Sequence, residues 1–130
     1  MTDGPKNADN KAERQLRYKR GQRSEFWAMV WLKFKGYHIL ARRHRTPVGE
    51  IDIIARKHNT VSFIEVKRRG TIDLAASSIP HHQRKRIARA ALYWIGKNKS
   101  FEQSEMSLDV ILIAPFKLPV HIKGAFAPEG

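Results

Sequence analysis

Two apolar segments of this chain contain charged residues that need an explanation. The segments are "EIDIIARK" (residues 50–57) and "TVSFIEVKR" (residues 60–68), and they contain Asp52, Glu65 and Lys67. Charged side chains are normally kept out of buried strands unless they are paired, solvated or bound to a ligand. Closely spaced carboxylates can hold a hard cation such as Mg²⁺, and a neighbouring lysine can hold a phosphate or polarise water. The residue types therefore predict a metal site that acts on a phosphate-containing substrate.

The spacing of these residues predicts a β-hairpin that brings the acids together. Polar and apolar side chains alternate along both segments, and a polar turn joins them. A register centred on this turn places Asp52 opposite Glu65, and Glu50 opposite Lys67. Opposed residues have Cβ atoms roughly 4.5–5.5 Å apart, and like charges at that distance are destabilising. The acidic pair therefore needs a compensating cation.

The alternation also predicts which side chains share a face of the first strand. Glu50, Asp52 and Ile54 lie on one face, and Ile51 and Ile53 lie on the other. The predicted site thus shares its face of the strand with apolar side chains. A solvent-exposed strand face would not explain these apolar side chains.

Two helices and three further strands are predicted around the hairpin. The segment "SEFWAMVWLKFKGY" predicts a mostly buried helix with Glu25 in its first turn and Gly36 at its C-terminal cap. The segment "HHQRKRIARAALYWIGKN" carries apolar residues at helical spacing on one face and basic residues on the rest of its surface. Strands are predicted at "HILARRHR", before the hairpin, and at "SLDVILIAP", after the second helix, with a short edge strand at "LPVHI". This order predicts an α/β sheet with helices packed against it.

Aromatic residues and histidines are interpreted as structural. Trp27, Trp31 and Trp94 lie among apolar helix positions, so we expect them in the core rather than stacked on bases. The six histidines show no metal-ligand spacing with acidic partners, so surface or capping positions are expected for His38, His44, His58, His81, His82 and His121.

The chain is strongly basic, with 25 Lys and Arg against 12 Asp and Glu and a formal net charge of +13. Such an excess indicates a polyanionic partner, and we expect nucleic acid, DNA first. The residues predicted to contact phosphates are Arg42, Arg43, Arg68, Arg69, Arg84, Lys85 and Arg89.

The length of 130 residues allows one core of ordinary size. Residues 1–20 are polar and basic and predict a flexible tail, and residues 21–127 predict a single domain. The sequence contains neither a run of apolar residues long enough for a membrane span nor a cysteine, so we expect a cytoplasmic protein without a membrane partner. Monomer and homodimer both remain open.

The hairpin resembles the PD-(D/E)XK nuclease motif. Asp52 matches the first acid, and Glu65, Val66 and Lys67 match the second acid, the spacer and the lysine, while Ile51 replaces the proline. The stretches "GEIDIIAR", "FIEVKRR" and "HIKGAF" resemble the YraN-like uncharacterised family of bacterial proteins, and the likeness spans about residues 21 to 127. It implies a restriction-endonuclease-like α/β core, with a mixed central sheet flanked by helices, and divalent-metal phosphodiester hydrolysis.

The resemblance also implies a role for each site residue. Asp52, Glu65 and the Val66 carbonyl would bind Mg²⁺ or Mn²⁺, and Lys67 would orient or activate water. Glu25 matches a helical acid of the similar Holliday-junction resolvases, which makes it an outer ligand of the metal or water and points to branched or structured DNA. Gln83 stands where the resemblance leads us to expect a lysine that contacts phosphate.

Two rival interpretations remain open at the level of sequence. A non-catalytic module could use the same basic surface to hold DNA or RNA, with the acids retained for folding or weak ion binding. A membrane-surface protein would need a basic amphipathic helix that faces lipid, but the narrow apolar face of the second helix is expected to be used by the core. The complete set of Asp52, Glu65 and Lys67 favours the nuclease.

Overall fold

A computed structural model describes residues 11–12, 15, 23–70 and 81–125 of the chain. Helix α1 spans residues 23–34, and helix α2 spans His81–Lys97. The strands are β1 (His38–Thr46), β2 (Gly49–Lys57), β3 (Thr60–Arg68), β4 (Glu105–Ile113) and β5 (Val120–Ile122), with a 3₁₀ turn at Lys99–Phe101. The predicted order of elements is therefore confirmed.

The five strands form one mixed sheet in the order β1-β2-β3-β4-β5. Strands β1, β2 and β3 are antiparallel neighbours, β3 and β4 are parallel, and β5 is antiparallel to β4. The parallel pair follows from α2, because a crossover connection is needed to bring the chain back to the same end of the sheet. The protein is thus a mixed α/β structure.

Apolar side chains cover both faces of this sheet. One cluster joins α2 to the sheet and includes Phe63, Ile87 and Trp94. The other cluster includes Leu32 of α1 together with Ile64 of β3. Consecutive residues of a strand point to opposite faces, so Phe63 and Ile64 anchor the two helices on opposite sides of β3. Each helix therefore has a fixed position relative to the end of the hairpin.

Helix α1 is less buried than its sequence predicts. It ends before Gly36, whose φ of 92° suits the predicted C-terminal cap. Its inner face is buried, but Phe34 exposes 84% and Trp27 exposes 58% of their surface, so the predictions of a mostly buried helix and of a core Trp27 are wrong. Trp31 is partly buried, and only Trp94 is a core tryptophan.

The hairpin departs from regular geometry at its open end. The predicted register is confirmed up to the pair Ile53 and Ile64. The predicted oppositions of Asp52 with Glu65 and of Glu50 with Lys67 lie beyond this pair, so neither belongs to the hydrogen-bonded register. Instead, a Glu50 carboxylate oxygen lies 3.6 Å from Nε of Arg45 on β1. The strands therefore stop pairing just where the acids begin.

Strict alternation also fails in this part of β2. Ile51 packs in the α2-side core together with Ile54, whereas Ile53 lies in the α1-side core, so the predicted sharing of a face by Ile51 and Ile53 is wrong. The break occurs at Asp52. The register of β1 and β2 on either side places Arg43 opposite Asp52, and Arg43 has a φ of 48°, a backbone conformation that non-glycine residues seldom adopt.

The predicted flexible tail, residues 1–20, lies outside the described residues except for residues 11, 12 and 15, which are helical and exposed. Residues 71–80 and 126–130 also lie outside them. Within the described ranges, neither helix combines the length and the apolar character that crossing a membrane requires.

Candidate active site

Asp52 and Glu65 lie side by side where β2 and β3 stop pairing. The Val66 backbone N–H donates a hydrogen bond of 2.8 Å to Oδ2 of Asp52, and Glu65 is close enough for its charge to raise the pKa of Asp52. Glu65 is 7% exposed and Asp52 is partly buried. Two acids thus share one poorly solvated site, which we call the carboxylate pair.

Burial changes the acidity of the carboxylate pair. Loss of solvation, followed by repulsion from Glu65, raises the pKa of Asp52 to about 8, although the Val66 N–H opposes the shift. Burial also raises the pKa of Glu65, and Lys67 opposes that shift. The two groups titrate together, so without another cation the pair holds a proton near neutral pH.

Lys67 and Gln83 surround the Glu65 side of the pair. The Lys67 ammonium nitrogen lies 3.2 Å from Oε1 of Glu65 and 3.4 Å from Oε1 of Gln83. The Gln83 amide donates a hydrogen bond of 2.8 Å to the same Glu65 oxygen. Gln83, on α2, therefore holds two residues of the predicted motif, Glu65 and Lys67, in place.

Glu25 approaches the carboxylate pair from α1, on the other side of the sheet. Its negative charge raises the pKa of both Asp52 and Glu65. Its carboxylate accepts a 2.5 Å hydrogen bond from Nε of Arg43, which makes a partly buried ion pair. The structure therefore brings the predicted helical acid close to the site, and it gives Arg43 a different contact from the predicted phosphate.

The first turns of both helices converge on this end of the hairpin. Glu25 lies in the first turn of the described α1, and Gln83 lies in the first turn of α2. Helix N-termini carry unpaired N–H groups and a partial positive charge, and both features favour anions nearby. The end of the hairpin thus combines two closely spaced acids with two helix N-termini that favour a bound anion.

The remaining predicted phosphate contacts are exposed side chains. Arg68 and Arg69 follow Lys67 at the end of β3, and Arg84 and Lys85 follow Gln83 in α2. The others are Arg42 on β1 and Arg89 further along α2. Four of these residues are therefore close in sequence to a residue of the site, and two lie further from it along their elements.

Sequence reasoning missed the role of Gln83. The apolar stripe of α2 includes Ile87, Ala90 and Trp94, and Gln83 lies one turn before Ile87 on the same face. A single polar residue on an otherwise apolar stripe is the signal that could have found it. The expected lysine would have brought a charge, whereas glutamine brings both a donor and an acceptor.

A second polar cluster lies on β4 and β5. Asp109 is fully buried and accepts hydrogen bonds from the Ser107 hydroxyl and from the Gly124 N–H at 3.0 Å, and its Oδ2 lies 2.7 Å from Nε2 of His121. The His121 side chain is 2% exposed, so its predicted surface or capping position is wrong. The missed signal is an acid at the start of the apolar run "DVILI", which needs polar partners when the strand is buried.

The donor set of the carboxylate pair fits Mg²⁺ or Mn²⁺. Mg²⁺ is commonly bound through one or two carboxylates, keeps several waters, and completes its shell with substrate phosphates. Asp52, Glu65 and the Val66 carbonyl supply only oxygen ligands, and burial, the largest cause of the raised pKa values, makes both acids costly to ionise. Within the described residues, no group of three or more Asp, Glu, His or Cys side chains could hold a metal.

Comparison with known proteins identifies relatives along most of the chain. A UPF0102 protein of Mesorhizobium japonicum is 44% identical over 115 residues, which cover 88% of this chain and 92% of the relative. Similar proteins occur in Bradyrhizobium diazoefficiens (43% identity, 88% of this chain, 86% of the relative) and Nitrobacter winogradskyi (46% identity, 82% and 90%). Residues 24–113, which include Glu25, the carboxylate pair, Lys67 and Gln83, match the family described as uncharacterised protein family UPF0102. The chain therefore belongs to the UPF0102 family, the YraN-like group that its sequence motifs resemble.

Proposed function

We propose that this protein is a divalent-metal-dependent nuclease that hydrolyses phosphodiester bonds of DNA, built on a restriction-endonuclease-like PD-(D/E)XK core. The observation that carries the proposal is the carboxylate pair with Lys67 beside it. Ionising two buried acids costs free energy, so a fold in which these acids had no function would gain nothing from them. Acids with perturbed pKa values next to a cation are typical of functional sites.

Each residue of the site has a defined part in this proposal. Asp52, Glu65 and the Val66 carbonyl hold Mg²⁺ or Mn²⁺, which when bound supplies charge stabilisation at the phosphate and acidifies water. Lys67 holds or polarises the attacking water beside Glu65. Gln83 orients both side chains, since it bonds to each of them.

Glu25 has an assisting part that depends on its ion pair. Its charge acts on the carboxylate pair, but Arg43 holds the carboxylate at 2.5 Å. Glu25 is therefore a positioning residue that sets the electrostatic potential of the site and orients water, rather than a direct ligand.

The charge of the chain supports a polynucleotide substrate. The formal net charge is +13, and Arg68, Arg84 and Lys85 are exposed close in sequence to residues of the site. Cations arranged around a catalytic centre contact phosphates on both sides of the bond to be cleaved and release counterions on binding. DNA with branches or other structure is the preferred substrate, on resemblance to Holliday-junction resolvases.

A specific observation also favours the rival, a nucleic-acid-binding module without catalysis. Glu65 already has two partners, Lys67 and Gln83, and Asp52 has the Val66 N–H. With one proton on the carboxylate pair, these contacts satisfy both acids without a metal. In that case the acids would stabilise the end of the hairpin, and the basic surface alone would bind DNA or RNA.

Incubation of the purified full chain with defined substrates tests the proposal. Linear duplex, nicked duplex, four-way junction and single-stranded DNA are each incubated with Mg²⁺, Mn²⁺ or EDTA, and products are separated on denaturing gels. We expect cleavage in metal that disappears in EDTA and in Asp52→Asn. Glu50→Gln, an exposed acid on the same strand, serves as the matched control and should cleave like the wild type.

The same substrates distinguish the rival. Retention of DNA on native gels without cleavage in either metal would establish the binding module and overturn the nuclease. Cleavage that Asp52→Asn leaves intact would also overturn the proposed site, since it would come from elsewhere in the chain or from a contaminant.

A further inference from the structure

An open groove with exposed aromatic rings and basic side chains lies on the α1 side of the sheet, at the end of β3. Its volume is about 380 Å³, within the range of small-ligand sites. Trp27 of α1 and Phe116 of the β4–β5 connection line it, together with Arg23, Arg68 and Lys117. We propose that this aromatic groove binds an unpaired segment of a nucleic-acid strand, with bases stacked on Trp27 and Phe116 and phosphates contacted by the three cations.

The two aromatic side chains are available for stacking. Trp27 exposes 58% of its surface, and Phe116 is fully exposed. Phe116 has a φ of 61°, so the connection turns sharply at this residue. Large aromatic rings displayed in this way are costly in water, and every base offers a complementary ring face.

The lining also favours phosphate over other partners. Arg23, Arg68 and Lys117 contribute positive charge, and no acidic side chain is among the residues that line the groove in the described part of the chain. An apolar peptide would cover the rings but leave the charge of the cations uncompensated. A duplex could satisfy the cations, but its bases are stacked inside and cannot reach the rings. An unpaired strand satisfies both groups at once.

The groove is linked to the carboxylate pair through β3 and α1. Arg68 follows Lys67, and consecutive strand residues face opposite sides, so Lys67 contacts α2 while Arg68 lines the groove beside α1. Ser24, which also lines the groove, precedes Glu25. A strand could therefore pass from the groove to the carboxylate pair around the end of β3. The inference rests on the proposed function in one respect only: it assigns the same nucleic-acid substrate to the aromatic groove and to the carboxylate pair.

Binding of a fluorescein-labelled, 20-nucleotide oligothymidylate to the full chain in EDTA tests the inference. EDTA prevents metal-dependent cleavage, so only binding is measured, by anisotropy at fixed salt. We expect Trp27→Ala and Phe116→Ala each to weaken binding about 10-fold, because each removes one stacking surface. Binding of a blunt 20-base-pair duplex should change less than about 2-fold, since it is governed by phosphate contacts.

Matched variants keep the test sharp. Phe34 is an exposed aromatic residue of α1, the helix that carries Trp27, but it does not line the groove. Phe34→Ala should therefore leave binding unchanged. Phe116→Ala removes a fully exposed ring and should fold normally, so weaker binding by that variant supports the inference even if Trp27→Ala is unstable. Groove binding is measured in EDTA, so weaker binding by the groove variants would support this inference even if the wild type cleaved no substrate in either metal, which separates it from the proposed function.

Several outcomes would overturn the inference. These are wild-type protein that does not bind the oligothymidylate, groove variants that bind it as the wild type does, or a decrease in affinity for Phe34→Ala as large as that for Phe116→Ala. If the groove variants instead change the elution volume of the protein in size-exclusion chromatography without changing DNA affinity, the groove is a protein interface.

The salt dependence of binding checks the phosphate contacts. For single strands, each phosphate that the protein neutralises contributes roughly 0.7 to the slope of log K against log salt. Lys117→Ala should reduce the slope by about this amount, and Lys99→Ala, an exposed lysine outside the groove, should not. Equal slopes for wild type and Lys117→Ala would remove this cation from the proposed site.

Discussion

Stability of the metal-free protein should depend on the ionisation of Asp52. Its pKa is raised in the folded state, first by burial and then by Glu65. A carboxyl group with a raised folded-state pKa binds more protons when folded than when unfolded. The free energy of unfolding therefore falls as pH rises from about 4, the ordinary value, towards the folded-state pKa of about 8.

Asp52→Asn should remove this pH-dependent destabilisation, because asparagine does not ionise and can still accept the bond from the Val66 N–H. Between pH 5 and pH 8 in EDTA, the stability difference in favour of the variant should grow on the order of 2 kcal/mol, measured by urea unfolding. Glu50→Gln, which removes a half-exposed acid, should follow the wild-type pH profile. A variant less stable than wild type at pH 8 would show that the charged carboxylate is structural.

The variant Lys67→Ala should separate metal binding from DNA cleavage. The charge of Lys67 opposes the raised pKa of Glu65, and its ammonium lies 3.2 Å from that carboxylate. In Lys67→Ala we expect Mn²⁺ to raise the Tm at least as much as in wild type, because a competing cation is gone. DNA cleavage should fall by about 100-fold or more, the usual effect of removing a group that moves protons.

The interpretation without a metal site gives the opposite result for this lysine. Lys67→Ala would then be strongly destabilising, since it leaves Glu65 short of a cation, and Mn²⁺ would shift no melting curve. Lys99→Ala, an exposed lysine beyond the C-terminal end of α2 and outside the predicted phosphate contacts, controls for the general effect of a reduced positive charge on either measurement.

Individual site residues were predictable from sequence to different degrees. Asp52, Glu65 and Lys67 could be identified because charges inside apolar strands have few explanations. The ion pair of Glu25 with Arg43 could not, because it depends on an unusual backbone angle at Arg43. The importance of Gln83 was underestimated, since its partners Glu65 and Lys67 lie on β3 and not on its own helix.

Strand β5 is tied to the sheet by the buried Asp109 cluster. The strand is only three residues long, and His121 within it contacts Asp109 on β4 and the ring of Tyr37. Burial raises the pKa of Asp109, but hydrogen bonds from His121, Ser107 and Gly124 outweigh burial and lower it overall. A carboxyl with a lowered folded-state pKa stabilises the fold above its ordinary value, and this contribution is lost as pH falls through the folded-state pKa.

Asp109→Ala should therefore destabilise the protein at pH 7 by about 3 kcal/mol, because three donors would lose the buried acceptor that they share. Ser107→Ala, which removes one donor and leaves Asp109 in place, should cost about 1 kcal/mol. Below pH 4 the difference in stability between Asp109→Ala and wild type should narrow, measured by urea unfolding across pH. A difference that stays constant would mean that packing rather than charge holds β5.

Elements were predictable where periodicity and turn signals agreed. The bounds of β2 and β3 follow from alternation around a polar turn, and α2 follows from its apolar stripe. Helix α1 was located correctly, but its exposure was not, because apolar residues occupy more of its surface than the sheet can cover. The irregularity of β2 at Asp52 comes from tertiary contacts with β1 and both helices, which periodicity does not report.

Within the described residues, buried acids and exposed basic residues occupy different places, apart from the ion pairs of Glu25 with Arg43, Glu50 with Arg45 and Glu65 with Lys67. The buried acids lie in the interior at the end of the hairpin, and basic residues occupy the exposed surface around them. The pattern of the sequence was sufficient to predict a mixed α/β fold, whereas the single domain and the polyanionic partner stay predictions. The same pattern was not sufficient to predict the aromatic groove, which is formed by α1 and the β4–β5 connection, two segments far apart in sequence.

The salt dependence of duplex DNA binding should report this distribution of charge. Arg84, Lys85 and Arg89 are exposed on α2, the helix that carries Gln83 into the site. If each contacts one phosphate, their joint replacement by alanine should flatten the slope of log K against log salt by about 2 to 3, at roughly 0.9 for each phosphate neutralised on B-DNA.

A charge-matched control makes this last measurement specific. Lys33, Lys97 and Lys99 are also exposed but lie towards or just beyond the C-terminal ends of α1 and α2, away from the first turns that approach the carboxylate pair. Their joint replacement lowers the net charge by the same amount, so it should weaken binding slightly through the overall field while leaving the slope nearly unchanged. Equal slopes for the two triple variants would mean that DNA binding follows total charge, and that α2 does not face the nucleic acid.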